Sequence, residues 1–312
     1  MGKSIVLHVL AAVTLALLGS CGGADSPSQV DDTGTPPPPP VLPAKESRWA
    51  ALEVDSDADG MADQITLFEY DTANRRSTRT AYLAADGVPV GEATGQTRWD
   101  YDAQGRVAII LSRGTGWERT SIFTYDAAGR VATQSDTLFP DGTIVQYQYR
   151  WRDGRLVERL IGTGATTSGS YVLDYGDNGF VSSIQRSGSA GSGSTRYGWR
   201  LDGQPLAQTN YDDFVTAEYY SYNDAGLHIG TRFTDDGYEY ETARVRHDAR
   251  GRLTEIAYGN PVDDFADLVP FRVHIYRWET APCQPVEIPG MPPLREGSGL
   301  LSPTNVSFGC GP

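Results

Sequence analysis

Apolar and polar residues alternate along this chain in short bursts that return at a near-constant interval. In each burst an apolar residue stands two places before an aromatic one: Trp99 and Tyr101, Phe123 and Tyr125, Tyr149 and Trp151, Tyr197 and Trp199, Tyr220 and Tyr222. Leu173 with Tyr175 and Val245 with His247 are weaker copies. Residues two apart share one face of a strand, so each pair predicts a strand with that face turned to a core. Asp-x-x-Gly follows, as in Asp102 to Gly105 and Asp126 to Gly129. Asp bonds its own backbone two residues on and Gly accepts a positive φ, so this pattern predicts a turn. A second strand then opens at Arg106-Val107, Arg130-Val131, Arg155-Leu156 and Arg252-Leu253. A second turn, clearest at Asp141-Gly142 and Asp236-Gly237, closes the unit. No long stretch carries apolar residues at helical spacing.

The last aromatic of each burst anchors a repeat. The anchors are Tyr70, Tyr101, Tyr125, Trp151, Tyr175, Trp199, Tyr222 and His247, at spacings of 31, 24, 26, 24, 24, 23 and 25. Two strands per unit over eight units predict roughly sixteen short strands with local connections. An ordinary sandwich or barrel also has regular short strands. The return of one motif, and not merely of strands, favours an all-β repeat meander with the anchors in a shared buried file.

The units YDAQGRV at Tyr101, YDAAGRV at Tyr125, HDARGRL at His247 and the variant YDTANRR at Tyr70 resemble the YD-repeat (Rhs-like) family of bacterial surface and secreted proteins. The resemblance covers about residues 64–255, or reaches 278 if Tyr276-Arg277-Trp278 opens a final half unit. The units at Trp151, Tyr175, Trp199 and Tyr222 depart at the Asp or Arg positions and rest on spacing. The resemblance implies short antiparallel strands in a curved, twisted ribbon that can curl into a spiral shell. Large members enclose a C-terminal toxin behind an Asp-Pro-x-Gly region, and neither is found in this sequence. Eight units fall short of a closed cage. The expectation is a short, open ribbon or partial shell over residues 48–278.

The N-terminus predicts an address. Lys3, the apolar run Ile5 to Leu18 and small residues make an export signal over residues 1–20. The run is shorter than the roughly 20 residues that span a bilayer. Leu18-Gly19-Ser20-Cys21 resembles a bacterial lipobox, which implies lipid on Cys21. Gly22 and Gly23, with no Asp after the Cys, imply the outer membrane, on either its surface or its periplasmic face. Residues 21–47 include Pro36 to Pro40 and bury no core, so they predict a semi-rigid tether.

Without residues 1–20 the chain loses one of its 26 basic residues and none of its 40 acidic ones, leaving 25 − 40 = −15. Phosphate polymers need clustered positive charge, which excludes nucleic acid as a partner. Cys283 and Cys310 form a pair in an exported chain and predict a disulfide that closes a cap over residues 279–312.

Asp55, Asp57, Asp59 and Asp63, with Gly60 at the sixth position and the carbonyl of Met61 at the seventh, match a calcium loop of the EF-hand type over residues 55–66. Thr66 stands where such a loop carries Glu, and a strand pattern follows, so the expectation is a structural calcium ion at the first edge. A solvated acidic turn is the alternative. Asp212-Asp213, Asp235-Asp236 and Asp263-Asp264 read as solvated turns, and His228, His247 and His274 lack metal-ligand spacing. No nucleophile elbow, phosphate loop or dinucleotide fingerprint is present. Anchor aromatics read as core, with sugar stacking as the other use of such rings.

The functional expectation is a surface-tethered, non-enzymatic binding or scaffold lipoprotein of the bacterial cell envelope, with a glycan or another envelope protein as partner. The alternatives are an accessory, orphan or neutralising partner of a larger YD-repeat toxin system and, third, a glycan hydrolase.

Overall fold

The structure, a computed structural model, describes residues 45–163, 166–201, 203–284 and 310–311. The export signal, Cys21, nearly all of the tether and most of the cap lie outside the described residues.

Eighteen strands follow one another: β1 (Lys45–Asp55), β2 (Gln64–Tyr70), β3 (Arg76–Ala85), β4 (Val88–Tyr101), β5 (Val107–Gly114), β6 (Trp117–Tyr125), β7 (Val131–Phe139), β8 (Thr143–Arg152), β9 (Arg155–Thr163), β10 (Thr166–Tyr175), β11 (Val181–Gly188), β12 (Gly193–Trp199), β13 (Pro205–Tyr211), β14 (Val215–Tyr222), β15 (His228–Asp235), β16 (Tyr238–His247), β17 (Leu253–Gly259) and β18 (Pro270–Cys283). A two-residue β19 (Cys310–Gly311) comes last. From β1 to β18, each strand pairs antiparallel with its sequence neighbours. β1 also pairs antiparallel with β18, through nine residue pairs from Lys45↔Cys283 to Asp55↔Val273. The meander therefore closes into an 18-stranded antiparallel barrel.

Closure overturns the open ribbon and partial spiral shell expected from the repeats. The reason lies in the first and last strands of the meander, β1 and β18. In an open ribbon β1 and β18 would each present a row of unpaired backbone groups, and pairing them with each other removes both edges. Eight units seemed too few, yet the added strands bring the number to one at which a barrel keeps a lumen.

A register shift precedes every anchor. Tyr125 faces Val131 while Thr124 faces Thr133, which leaves Ala132 as an extra residue. The same shift stands at Tyr70, Tyr101, Trp151, Tyr175, Trp199, Tyr222 and His247. Such bulges re-aim a side chain at a barrel rim. Here they turn the anchors inward on one ring.

The Asp-x-x-Gly turns all fall at one end, the repeat rim, with Lys45 and Cys283. The remaining connections, from Ser56–Asp63 round to 260–269, form the other end, the mouth. Next to the repeat rim, Val107, Phe123, Val131, Tyr149, Leu156 and Leu173 are buried in a continuous core against the anchor rings. A smaller cluster of Ala243, Val245, Leu253 and Ile256 continues it.

Most outward positions are polar. On β8 the exposed row is Ile144, Gln146, Gln148, Arg150 and Arg152, while Tyr149 is buried behind it. Arg150 meets Glu158 at 2.8 Å, Arg246 meets Glu255 at 3.3 Å, and Arg277 grips Glu53 with two bonds of 2.8 and 2.7 Å. The 260–269 connection folds over part of this wall, where Leu268 is buried and Arg232 bonds the carbonyls of Val262 and Asp263 at 2.8 and 2.7 Å.

Candidate functional site: the two rims and the acidic hairpin

The repeat rim is built from one unit used again and again. Asp126 Oδ1 accepts the backbone N–H of Arg130 at 2.9 Å, and Oδ2 accepts its Nε and Nη2 at 2.8 and 2.7 Å. Gly129, at φ +78°, supplies the left-handed turn that places Arg130 there. The guanidinium then lies 5.5 Å over the ring of Trp151, the next anchor. Trp151 Nε1–H donates back to the carbonyl of Val131 at 2.8 Å. The same sequence of contacts links Asp71, Arg75 and Tyr101, then Asp102, Arg106 and Tyr125, then Asp248, Arg252 and Trp278. Trp278 is thus a ninth anchor. Where the unit has Phe180 in place of Arg, its ring stacks on Trp199 at 4.9 Å. Burial pushes the hydroxyls of Tyr101 and Tyr125 well above the ordinary phenol range, so both remain donors. In these four units the Asp and Arg side chains and the anchor's polar group are used within the rim itself, which gives them a structural role.

Toward the mouth the inward rows turn polar. Asp136 is 2% exposed and accepts from Arg119 at 2.6 Å and from Gln134 at 2.8 Å. Tyr149 donates to Gln134 at 2.6 Å. Arg159 stands over two rings, Tyr147 at 5.3 Å and Tyr171 at 4.1 Å. Glu241 faces Arg272 at 3.5 Å, and burial raises its pKa. These groups lie on adjacent strands or, for Glu241 and Arg272, two strands apart, and no local pattern announces them.

The mouth carries large apolar side chains at its tips. Met61, Val88, Trp117, Phe139, Phe214, Tyr238 and Val269 are each half or more exposed, up to 80% at Tyr238. At the repeat rim the exposed large apolar residues are Phe180 and Leu201 among the described residues. Sequence reasoning missed this asymmetry because it placed the aromatics in the core. The alternation of tips between two ends was its available signal.

The acidic hairpin joins β1 to β2. Of the expected metal residues, Asp55, Asp57 and Asp63 each bring a carboxylate oxygen within 4.8 Å of the others. Asp59 is not in that group: its Oδ1 accepts the backbone N–H of Met61 at 2.8 Å. Gly60, at φ +94°, makes the turn, and its N–H donates to Asp55 Oδ2 at 2.8 Å.

Cys283 and Cys310 are joined as a disulfide. It ties β18 to β19, which pairs with β1 at Ser47 and Arg48. The paired acids serve local structure. Asp212 pairs with Arg186, Asp236 accepts the Val215 N–H, and Asp264 caps the short 3-10 turn Phe265–Asp267. His228 is buried beside the Tyr220 and Tyr222 rings, where burial lowers its pKa to about 4. His247 occupies its anchor position, and His274 packs on Tyr258 at 5.1 Å.

No family model matches the sequence. No curated protein matches it either. Among solved structures, the chain is similar to a porin-like protein from Bacteroides uniformis, at TM-score 0.41 and 11% identity, over 77% of this chain and 99% of that one. It is similar to the toxin-complex structure TcdB2-TccC3-TEV at TM-score 0.38 and 11% identity, over 68% of this chain. The match to the Photorhabdus luminescens Tc holotoxin pore has TM-score 0.29 and 12% identity, over 67% of this chain. The chain spans 13% and 15% of the length of those two toxin chains. At such scores the likenesses carry neither fold nor function, which rest on the strands and side chains described above. No helix of the described residues is long and apolar enough to cross a membrane.

Proposed function

We propose that this chain is a lipid-tethered, non-enzymatic binding or scaffold protein of the bacterial outer membrane, whose barrel stands in water and meets a glycan partner at its mouth. One observation carries the reading: most of the large apolar side chains that are half or more exposed stand at the tips of one rim, and charged and polar side chains interrupt the exposed apolar ones along the wall. A barrel that spans a bilayer needs an outward apolar band about 25 Å tall, and Arg on that face costs about 2–4 kcal/mol at mid-depth. This wall carries Arg98, Arg150, Arg196, Arg246 and Arg277 among Gln, Thr and Ser, with Leu67, Ile122, Ile144, Val172, Leu206 and Tyr219 exposed between them. The anchor is the lipid expected on Cys21, and Lys45 starts β1 at the rim opposite the mouth. Several acyl chains make such an anchor durable, at about 0.8 kcal/mol for each buried methylene.

Aromatic faces at solvent suit the apolar faces of sugar rings, and the net charge of −14 argues against anionic polymers. The purified full chain, applied to a glycan array, should bind a defined set of glycans. Phe214→Ser with Tyr238→Ser should reduce that binding at least tenfold without changing the melting temperature. Undiminished binding by the double variant overturns the mouth as the site, and an array with no signal overturns the glycan.

A further inference from the structure

We propose that Asp55, Asp57 and Asp63 hold a calcium ion that locks the closing hairpin of the barrel. The three carboxylates converge within 4.8 Å, and Asp55 supplies the observation that asks for a cation. Its side chain is 4% exposed. Oδ2 is fixed by the Gly60 N–H at 2.8 Å, while Oδ1 is buried with no hydrogen-bond partner. A buried carboxylate oxygen without a partner is destabilising unless a positive charge meets it. Among the described residues no Lys, Arg or His forms an ion pair with Asp55, Asp57 or Asp63.

The donor set and the openness of an exposed loop favour calcium. Calcium binds oxygens at about 2.3–2.6 Å, so oxygens across one ion lie up to about 5.2 Å apart, and carboxylates that converge within 4.8 Å can share it. Magnesium, at about 2.0–2.1 Å, demands a tighter octahedron, and zinc prefers nitrogen and sulfur. Every candidate ligand here is a hard oxygen, including the Met61 carbonyl expected from its place in the loop. Asp59 holds the turn by accepting the Met61 N–H and is left out of the carboxylate set.

The position gives the ion its work. β1 is the strand that closes the barrel, with nine residue pairs to β18. Its ladder to β2 has four, Ala51↔Leu67 to Val54↔Gln64. The acidic hairpin sits at the mouth end of that short ladder. Asp63 is locked there by its N–H to the Val54 carbonyl at 2.8 Å and by its own carbonyl to the Ala84 N–H at 2.7 Å. At the other end of β1, β19 and the Cys283–Cys310 disulfide hold the same strand. Metal and disulfide thus secure the closing strand β1 near both of its ends.

The test is a calorimetric titration of calcium chloride into the chelator-stripped full chain, with melting curves beside it. Calcium should bind with a dissociation constant of roughly 10⁻⁴–10⁻³ M or tighter, raise the melting temperature, and bind at least tenfold more tightly than magnesium. Asp57→Asn with Asp63→Asn keeps the shape and the acceptors of two exposed side chains, and should weaken calcium at least tenfold. No binding heat with identical melting in calcium and in chelator overturns the proposal. So does unchanged affinity in the double variant, which places the ion elsewhere. Equal affinity for magnesium overturns the choice of calcium.

Discussion

The hydroxyl of Tyr101 donates to the carbonyl oxygen of Arg76 at 2.6 Å, across 25 residues of chain. Tyr175 reaches back to Leu156 at 2.8 Å, Trp199 to Val181 at 2.7 Å and Tyr222 to Pro205 at 2.7 Å. Each of these anchors therefore belongs to two units: it sits in its own and closes the one before. This is how short hairpins that cannot fold alone become a cooperative ring.

Removing one such bond should be felt in the whole barrel. Tyr175→Phe keeps the ring under Arg155 and loses only the bond to Leu156, a cost of about 1 kcal/mol. Trp151→Ala also removes core contacts and should cost about 3–5 kcal/mol. Urea unfolding followed by far-UV circular dichroism should give one transition for each variant, with the midpoints in that order. A transition that splits, or equal costs for the two, would show that the units unfold separately.

The repeat, the turns and the disulfide pairing could be read along the chain because each is local or rests on residue type. Asp126, Gly129 and Arg130 sit within one turn, so their grammar recurs in sequence. Closure could not be read. β1 and β18 meet across more than 200 residues, and nothing in Leu52 or Tyr276 says that they face each other. The role of Arg was half legible: Arg130 was read as a strand start, while its stacking on Trp151 joins two units. Asp59 fits the ligand spacing, and in the structure its Oδ1 accepts the Met61 N–H, a bond that a carboxylate two residues before a free N–H is placed to make.

A second prediction concerns pH. His228 is buried and its ring is held neutral, with the pKa lowered from 6.5 to about 4 by burial. The unfolded chain takes up this proton near pH 6.5 and the folded chain only near pH 4. Between those values the unfolded state binds more protons, so stability falls as pH drops through the window, by up to about 3 kcal/mol. Nearby His247, also lowered by burial, adds to the same slope. Denaturant midpoints from pH 7 to pH 5 should fall less for His228→Asn than for the parent. Parallel slopes in the two proteins would remove His228 as the cause.

A third concerns the disulfide. Cys283 and Cys310 are 27 residues apart, and opening that loop in the unfolded chain should cost about 3–4 kcal/mol in the chain-entropy model. Cys283→Ser with Cys310→Ser, compared with the parent with and without reductant, should lower the unfolding midpoint to the value of the reduced parent. Equal midpoints for all three samples would show that the clamp on β1 is idle.

The central claim is a barrel that stands in water on a lipid tether, and membrane fractionation of Cys21→Ala tests it most directly. The parent should sediment with the outer membrane and leave it only in detergent. The variant, with its polar wall and no lipid, should appear folded in the soluble fraction, or leave the membrane on alkaline wash. A variant that stays in the membrane through alkaline wash, as the parent does, would mean that the wall itself lies in lipid, and would contradict the account.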